Sequence, residues 1–365
     1  MRLSAIGMNV CDLDTPALLL NMSAFERNIS TMAGRFKSSG IGWRPHAKAF
    51  KCPAIAHILR RSGAFGVTVA KVSEAEVMAA AGIEDILIAN MIVGSAKTAR
   101  LAALARFANA KACVDHIDQI DPMATAARAI GTTIGVLIEV DLGLNRCGAS
   151  NAEIAAELAR RVANSRGLRL DGVMGYEGHT LMIADPDEKR RAIVTALDRL
   201  IEARDRLTDR GLACPIVSAG GTGSYQYTAD YRGISEIQAG GGVFACLYYT
   251  KSCGVKGHEN SLTVLATVVG KPAADRAILD IGQKSISQHR ETPVLRDHPE
   301  TRVLNLSAEH TVVSMPRDYP LKIGDKVHVI PGYSDFTFVL HDRVLAHRND
   351  VVEASWELWG RGMLQ

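Results

Sequence analysis

Five short stretches of the chain gather residue types able to do chemistry. Arg44-Pro45-His46-Ala47-Lys48 sets a lysine beside a histidine and an arginine. Cationic neighbours lower a lysine's pKa and favour the neutral amine that forms Schiff bases. The bland alternative is a surface lysine. Ser218-Ala219-Gly220-Gly221-Thr222-Gly223-Ser224 is a glycine-rich turn whose backbone N–H groups and hydroxyls suit a phosphate, and Gln238-Ala239-Gly240-Gly241-Gly242 repeats the small-residue pattern soon after. A flexible turn is the competing reading, and two such turns in succession favour phosphate. Asp141-Leu142-Gly143-Leu144-Asn145-Arg146-Cys147-Gly148 contributes Arg146, either a salt-bridged scaffold residue or a donor to a phenolate oxygen. Gly175-Tyr176-Glu177-Gly178-His179 supplies His179, a candidate general base or a histidine satisfied by packing. Amine, phosphate cradle and polar groups for an aromatic ring together point to pyridoxal 5'-phosphate, an electron sink for carbanion chemistry.

Each stretch follows a short apolar run. From about residue 40 to 245 these runs (IGWRPHA, GVTVA, DILIAN, KACVD, TIGVLIEV, RLDGVMGYE, IVSAGG, EIQAGG) alternate with Ala/Leu/Arg-rich segments of helical period, such as 73–81, 151–162 and 189–207. Eight such steps close a (β/α)8 TIM-type barrel, in which catalytic groups sit at the C-terminal strand ends and phosphate is held after strands seven and eight. After about residue 255 the texture changes to SLTVLATVVG, RAILDIG, DKVHVI and DFTFVL, read as strands of a second, C-terminal β domain. DTPALLLN near the start is also strand-like and is expected to pair with that sheet, ahead of a helix over 22–36. The expected division is a barrel over 20–250 and a β domain made of 1–19 plus 251–365. No long linker or internal repeat separates them.

Composition narrows the classes. Hydrophobic residues make up 47% of the 365 and charged residues 22%, which excludes disordered and fibrous chains. The net charge of +3 is spread without like-charge blocks, so nucleic acid is not an expected partner. No apolar run approaches the roughly 20 residues that cross a bilayer, and the first residues lack a signal-peptide pattern, so a cytoplasmic protein with no membrane partner is expected. Seven scattered cysteines without a CxxC pair argue against a disulfide framework or a cysteine-rich zinc site.

The motifs DTPALLLN, RPHAKAFK, SEAEVMAAAGIEDILIAN, DLGLNRCG, GYEGH, SAGGTGSY, EIQAGG, DIGQKSIS and SAEH carry a resemblance. In order over most of the chain, they resemble the D-threonine aldolase and D-serine dehydratase family of alanine racemase-like, fold type III pyridoxal phosphate enzymes. The resemblance implies a Schiff base on Lys48 and phosphate binding by Gly220, Gly221, Thr222, Gly240 and Gly241. It puts Arg146 on the cofactor's phenolic oxygen, Gln238 near the pyridine nitrogen, and Tyr176 and His179 in the active site. It also implies a homodimer. Two positions depart from the family pattern. Phe50 stands where a K-x-H-K histidine is usual, and Tyr333 replaces the histidine of an H-x-C or H-x-D metal pair, while Asp335 remains. An aspartate with water can hold Mg²⁺ or Mn²⁺ weakly, but losing an imidazole disfavours zinc. Where the family's metal acts as a Lewis acid on the β-hydroxyl, Tyr333 could donate a hydrogen bond, act as acid/base, or only fill space.

The leading functional expectation is a lyase for a small-molecule amino-acid substrate. It would cleave D-β-hydroxy-α-amino acids of the D-threonine or D-3-hydroxyaspartate type by retro-aldol reaction to glycine and an aldehyde, with His179 as base. The alternatives are a D-serine or D-3-hydroxyaspartate dehydratase, a racemase or epimerase using Lys48 against His179 or Tyr333, and a non-catalytic pyridoxal phosphate homeostasis protein. The residues after 255 argue against the last.

Overall fold

A computed structural model describes residues 4–365, so residues 1–3 of the expected β domain lie outside the described residues. The chain divides into two compact units. One contains Ala33–Lys48, Pro53–Gly240 and Gly362–Gln365; the other contains the chain up to Met32, Ala49–Cys52 and Gly241–Arg361.

The first unit is the expected barrel. Its parallel strands are Gly42–Trp43, Val67–Val69, Asp85–Met91, Asn109–Val114, Ile134–Val140, Leu168–Gly175, Ile216–Ala219 and Glu236–Ile237. From the second strand on each pairs with the next, the eighth pairs with the first, and an isolated parallel bridge from His46 to Thr68 joins the first to the second. Parallel strands covered on both faces must be apolar throughout, and Ile134–Val140 is buried at all seven positions. The connecting helices bury one stripe each. In Ala152–Ala163 the buried residues are Ala152, Ala155, Ala156, Leu158, Ala159 and Val162, and Asn151 caps the start by accepting the Ile154 amide at 2.9 Å. Pro186–Asp209 begins with a proline in its first turn behind the Asp185 cap, which accepts the Glu188 amide at 2.7 Å.

The second unit is built on antiparallel strands. Ala17–Asn21 pairs antiparallel with Leu262–Ala273 and parallel with Arg343–Arg348, so the strand-like opening segment does join the C-terminal sheet as expected. Leu13, Leu19, Leu265, Leu345 and Val352 form a core there. Around Phe244 a second cluster gathers Phe25 at 5.8 Å, Phe50 at 6.1 Å and Phe338 at 4.8 Å between ring centroids.

DFTFVL is not the expected strand: Ser334–Phe338 is a short helix. Strand alternation would turn Phe336 and Phe338 to the same side, yet Phe338 is fully buried and Phe336 is 49% exposed. The turn is fixed locally, because Thr337 donates both its amide (3.3 Å) and its hydroxyl (2.9 Å) to the Tyr333 carbonyl.

Candidate active site

The barrel's first strand runs on to His46 and ends in a single turn, Ala47–Ala49, which carries Lys48. Lys48 is exposed, and its amide donates to His46 Nδ1 at 3.4 Å. Gly240, after strand eight, lies against this segment: a Cβ there would sit 2.4 Å from the His46 carbonyl oxygen and 2.8 Å from its nitrogen. Only glycine lets the two backbones approach this closely.

Arg44 does not join Lys48 as the sequence order suggests. It is 1% exposed and turns to the starts of strands three and eight, donating to Asp85 and, at 3.0 Å, to Glu236. Lys111 Nζ donates to the same Asp85 at 3.0 Å. Burial alone would raise the Asp85 carboxyl, but Arg44 and Lys111 together hold it below the ordinary carboxylate value. Arg44 is therefore part of a buried ion network.

The ends of strands five, six and seven converge. Arg146, half-exposed, lies 5.7 Å from the Tyr176 ring centroid, and Gly221 packs against the same ring, its notional Cβ 2.9 Å from Tyr176 Cε2. His179 sits exposed in the turn Gly178–Thr180, its Nε2 3.3 Å from where a Gly143 Cβ would be. In the loop after strand seven, Gly220 adopts φ +77° and gives its amide to Glu177 Oε2 at 3.3 Å, while the Gly221 amide donates to Ser224 Oγ at 3.1 Å. The amides of these two glycines are thus engaged within the chain; the missing side chain of Gly221 leaves room beside Tyr176, and that of Gly220 lets the turn close on Thr228 and Ile237. Thr222 is buried in the same turn. Gln238 Nε2 donates to Ser218 Oγ at 2.9 Å, and its carbonyl accepts the His46 amide at 3.0 Å. The barrel unit thus brings Lys48, Arg146, Tyr176, His179, Gly220, Gly221, Thr222, Gln238 and Gly240 to the C-terminal ends of its strands.

Gly241, Tyr333 and Asp335 belong to the other unit. There the Tyr333 hydroxyl donates to Asp335 Oδ2 at 2.8 Å, and Asp335 Oδ1 accepts Ser334 Oγ at 3.3 Å. The Tyr333 ring packs edge-on against Tyr248 at 5.3 Å, Tyr249 at 5.8 Å and Phe336 at 5.1 Å. Among the described residues no group of three or more His, Cys, Asp or Glu side chains is arranged to hold a metal ion. Phe50, at the other altered position, is core.

Two buried carboxylates escaped the motif reading. Glu177, fully buried, accepts Gly220 N on one oxygen and Thr228 Oγ1 on the other at 2.9 Å, tying strand six to the loop and short helix after strand seven. Glu139, 2% exposed, is the only charged residue of strand five. Its presence in an otherwise apolar run was the available signal.

A family model described as alanine racemase, N-terminal domain, matches residues 20–246, and a serine dehydratase domain model matches residues 261–347. Over 359 residues the chain is 37% identical to a D-threonine aldolase from an Arthrobacter species, covering 98% of this chain and 95% of that protein. The chain belongs to the family of D-threonine aldolases and D-serine dehydratases, on the alanine racemase-like fold. Another member of this family, a 3-hydroxy-D-aspartate aldolase from Paracoccus denitrificans, is 33% identical over 98% of this chain and 94% of its own. The crystal structure of D-threonine aldolase from Filomicrobium marinum superposes with a TM-score of 0.96 at 37% identity, covering 99% of this chain and all of that one. Pyridoxal 5'-phosphate is the cofactor of this fold type. No helix among the described residues is long and apolar enough to cross a membrane.

Proposed function

We propose that this protein is a pyridoxal phosphate-dependent lyase that cleaves D-β-hydroxy-α-amino acids, of the D-threonine and D-3-hydroxyaspartate type, to glycine and an aldehyde. One observation carries the reading: the chain aligns over nearly its whole length with two aldolases of such substrates. The residues present fit the cofactor. Lys48 offers an exposed amine on the turn after strand one, the Gly220–Thr222 turn and Gly240–Gly241 offer small residues for a phosphate, and Arg146 beside Tyr176 offers a cation for a phenolic oxygen. Gln238 would face the pyridine nitrogen. When bound, the cofactor supplies an electron sink for the pair released from the Cα–Cβ bond.

The chain's own groups do the rest. His179 takes the β-hydroxyl proton as the Cα–Cβ bond breaks, leaving the aldehyde, and a proton returned to Cα completes glycine. Tyr176 and Arg146 orient the ring of the bound group. The donor set at Asp335 does not fit a family-type metal, because a phenol replaces the imidazole and both carboxylate oxygens already accept hydrogen bonds. In this reading Tyr333 contributes a hydroxyl whose hydrogen bond to Asp335 holds it in place. The protein is read as a cytoplasmic homodimer acting on a small amino acid, with no nucleic-acid or membrane partner.

The test is to incubate purified protein and pyridoxal phosphate with D-threonine, D-serine and D-3-hydroxyaspartate and to analyse the products. Glycine is expected. A 2-oxo acid would move the reading to elimination, an inverted amino acid to racemisation, and no product from a broad D- and L-panel would sink it. Sedimentation would show a dimer.

A further inference from the structure

Strand five is buried throughout, and a charged residue in it is costly. Glu139 is there nonetheless. Burial pushes its carboxyl above the ordinary value, and its Oε2 has no hydrogen-bond partner. Its Oε1 receives two donors from the loop that follows the strand: Cys147 Sγ at 2.9 Å and Arg146 Nη2 at 3.4 Å. That loop is folded back on the strand by its backbone. Ala149 donates its amide to the Glu139 carbonyl at 2.7 Å, Asp141 donates to Ala149 at 3.0 Å, and Gly148 donates to Asp115 Oδ2 at 2.9 Å. Asp141 Oδ1 accepts the amides of Gly143 and Asn145 at 3.0 and 3.1 Å. The backbone between Glu139 and Arg146 is therefore fixed, whereas the long Arg146 side chain, 54% exposed, is held by Glu139, the adjoining Cys147 thiol and the Tyr176 ring.

We infer that Glu139 is a positioning residue for Arg146: the buried carboxylate, steadied by the Cys147 thiol, aims the guanidinium along the Tyr176 ring toward the mouth of the barrel. An exposed arginine that must meet one oxygen of a ligand gains from a fixed partner, because its many rotamers are restricted before the ligand arrives. The inference rests on the reading of Arg146 as a contact to pyridoxal phosphate and adds to it the residue that makes this contact directional. The same geometry accounts for the thiol, since burial and the adjoining Glu139 push Cys147 up to about 11.

The experiment is a double-mutant cycle on the apoprotein titrated with pyridoxal phosphate, read by visible absorbance and its pH dependence, with alkylation of Cys147 followed in parallel. Glu139→Gln keeps the shape and removes the charge. It should weaken cofactor binding on the order of tenfold, the scale of a lost hydrogen bond between charged partners, and shift the pH at which the bound chromophore changes. Added to Arg146→Ala, it should cost little more. Cys147 in Glu139→Gln should alkylate several-fold faster at fixed pH, as expected once a neighbouring carboxylate no longer opposes the thiolate. Should Glu139→Gln not fold, Glu139→Asp, which keeps the charge but shortens its reach, carries the same cycle. Additive effects of the two substitutions, or an unchanged affinity and pH profile, would overturn the positioning role alone. A wild-type protein that takes up no pyridoxal phosphate would overturn the functional reading and this inference with it.

Discussion

Tyr333 stands two residues before Asp335 and spends its hydroxyl on that carboxylate. A phenol is a poor metal ligand when protonated but a good hydrogen-bond donor, so the pair suits proton handling better than cation binding. EDTA is accordingly expected to leave most of the activity in place, and Tyr333→Phe to lower turnover on β-hydroxy substrates by about a hundredfold, the low end of what a lost acid/base group costs. Full loss with EDTA and recovery with Mn²⁺ would refute this. Arg44 shows the opposite case, a chemically suggestive residue with a structural job. Arg44→Leu leaves Asp85 and Glu236 without their shared cation and should cost about 3–5 kcal/mol, as breaking a buried ion pair does, measured by urea unfolding.

At the level of elements, the strand ends are held together by a few close approaches. Gly240→Ala puts a methyl group into the backbone of His46, which cannot swing aside as a side chain would. The end of strand one must then move, and Lys48 with it. Cofactor retention should fall, with a stability loss of about 1–3 kcal/mol typical of overpacking, both measurable by dialysis and thermal melting. Glu177→Leu removes the acceptor shared by Gly220 and Thr228 and should cost about 1–3 kcal/mol for the buried donors left unpaired. It should loosen the turn after strand seven, detectable as faster amide exchange there. If exchange is unchanged, Glu177 is not what holds the loop.

Over the whole molecule, stability should be acid-sensitive. In the β-strand unit His328 is pushed down to about 4, chiefly by burial and then by Arg296, with Asp297, His347 and Asp350 also facing it. His347, 1% exposed with neither ring nitrogen hydrogen-bonded, is shifted the same way by burial and faces Asp350, Arg296 and Glu353. Both bind their proton more weakly folded than unfolded. Their contribution is therefore fully present above the unfolded value of 6.5 and is lost as pH falls toward about 4. Asp85, held low, keeps its contribution through that window and loses it only in stronger acid. The urea midpoint is expected to drop between pH 7 and 5, and His347→Leu should flatten that drop. A flat midpoint in the wild type would rule the histidines out.

Local spacing decides a great deal here. Alternating apolar runs and helical stripes are short-range patterns, so the eight barrel strands, the capped helices and the order of Lys48, Arg146, His179 and the two glycine turns at strand ends are all legible along the chain. What local spacing leaves open is the direction in which a polar side chain points and what it meets. Arg44 and Lys48 are four residues apart, yet one is locked among the starts of strands and the other lies beyond a strand end. Glu177 draws its meaning from Gly220 and Thr228, 43 and 51 residues away. Phe336 and Phe338 read as a strand until Thr337 closes a helical turn on Tyr333. For Arg44 and Glu177 the deciding energy is the burial of a polar group against a partner distant in sequence, and only the closed barrel brings that partner near.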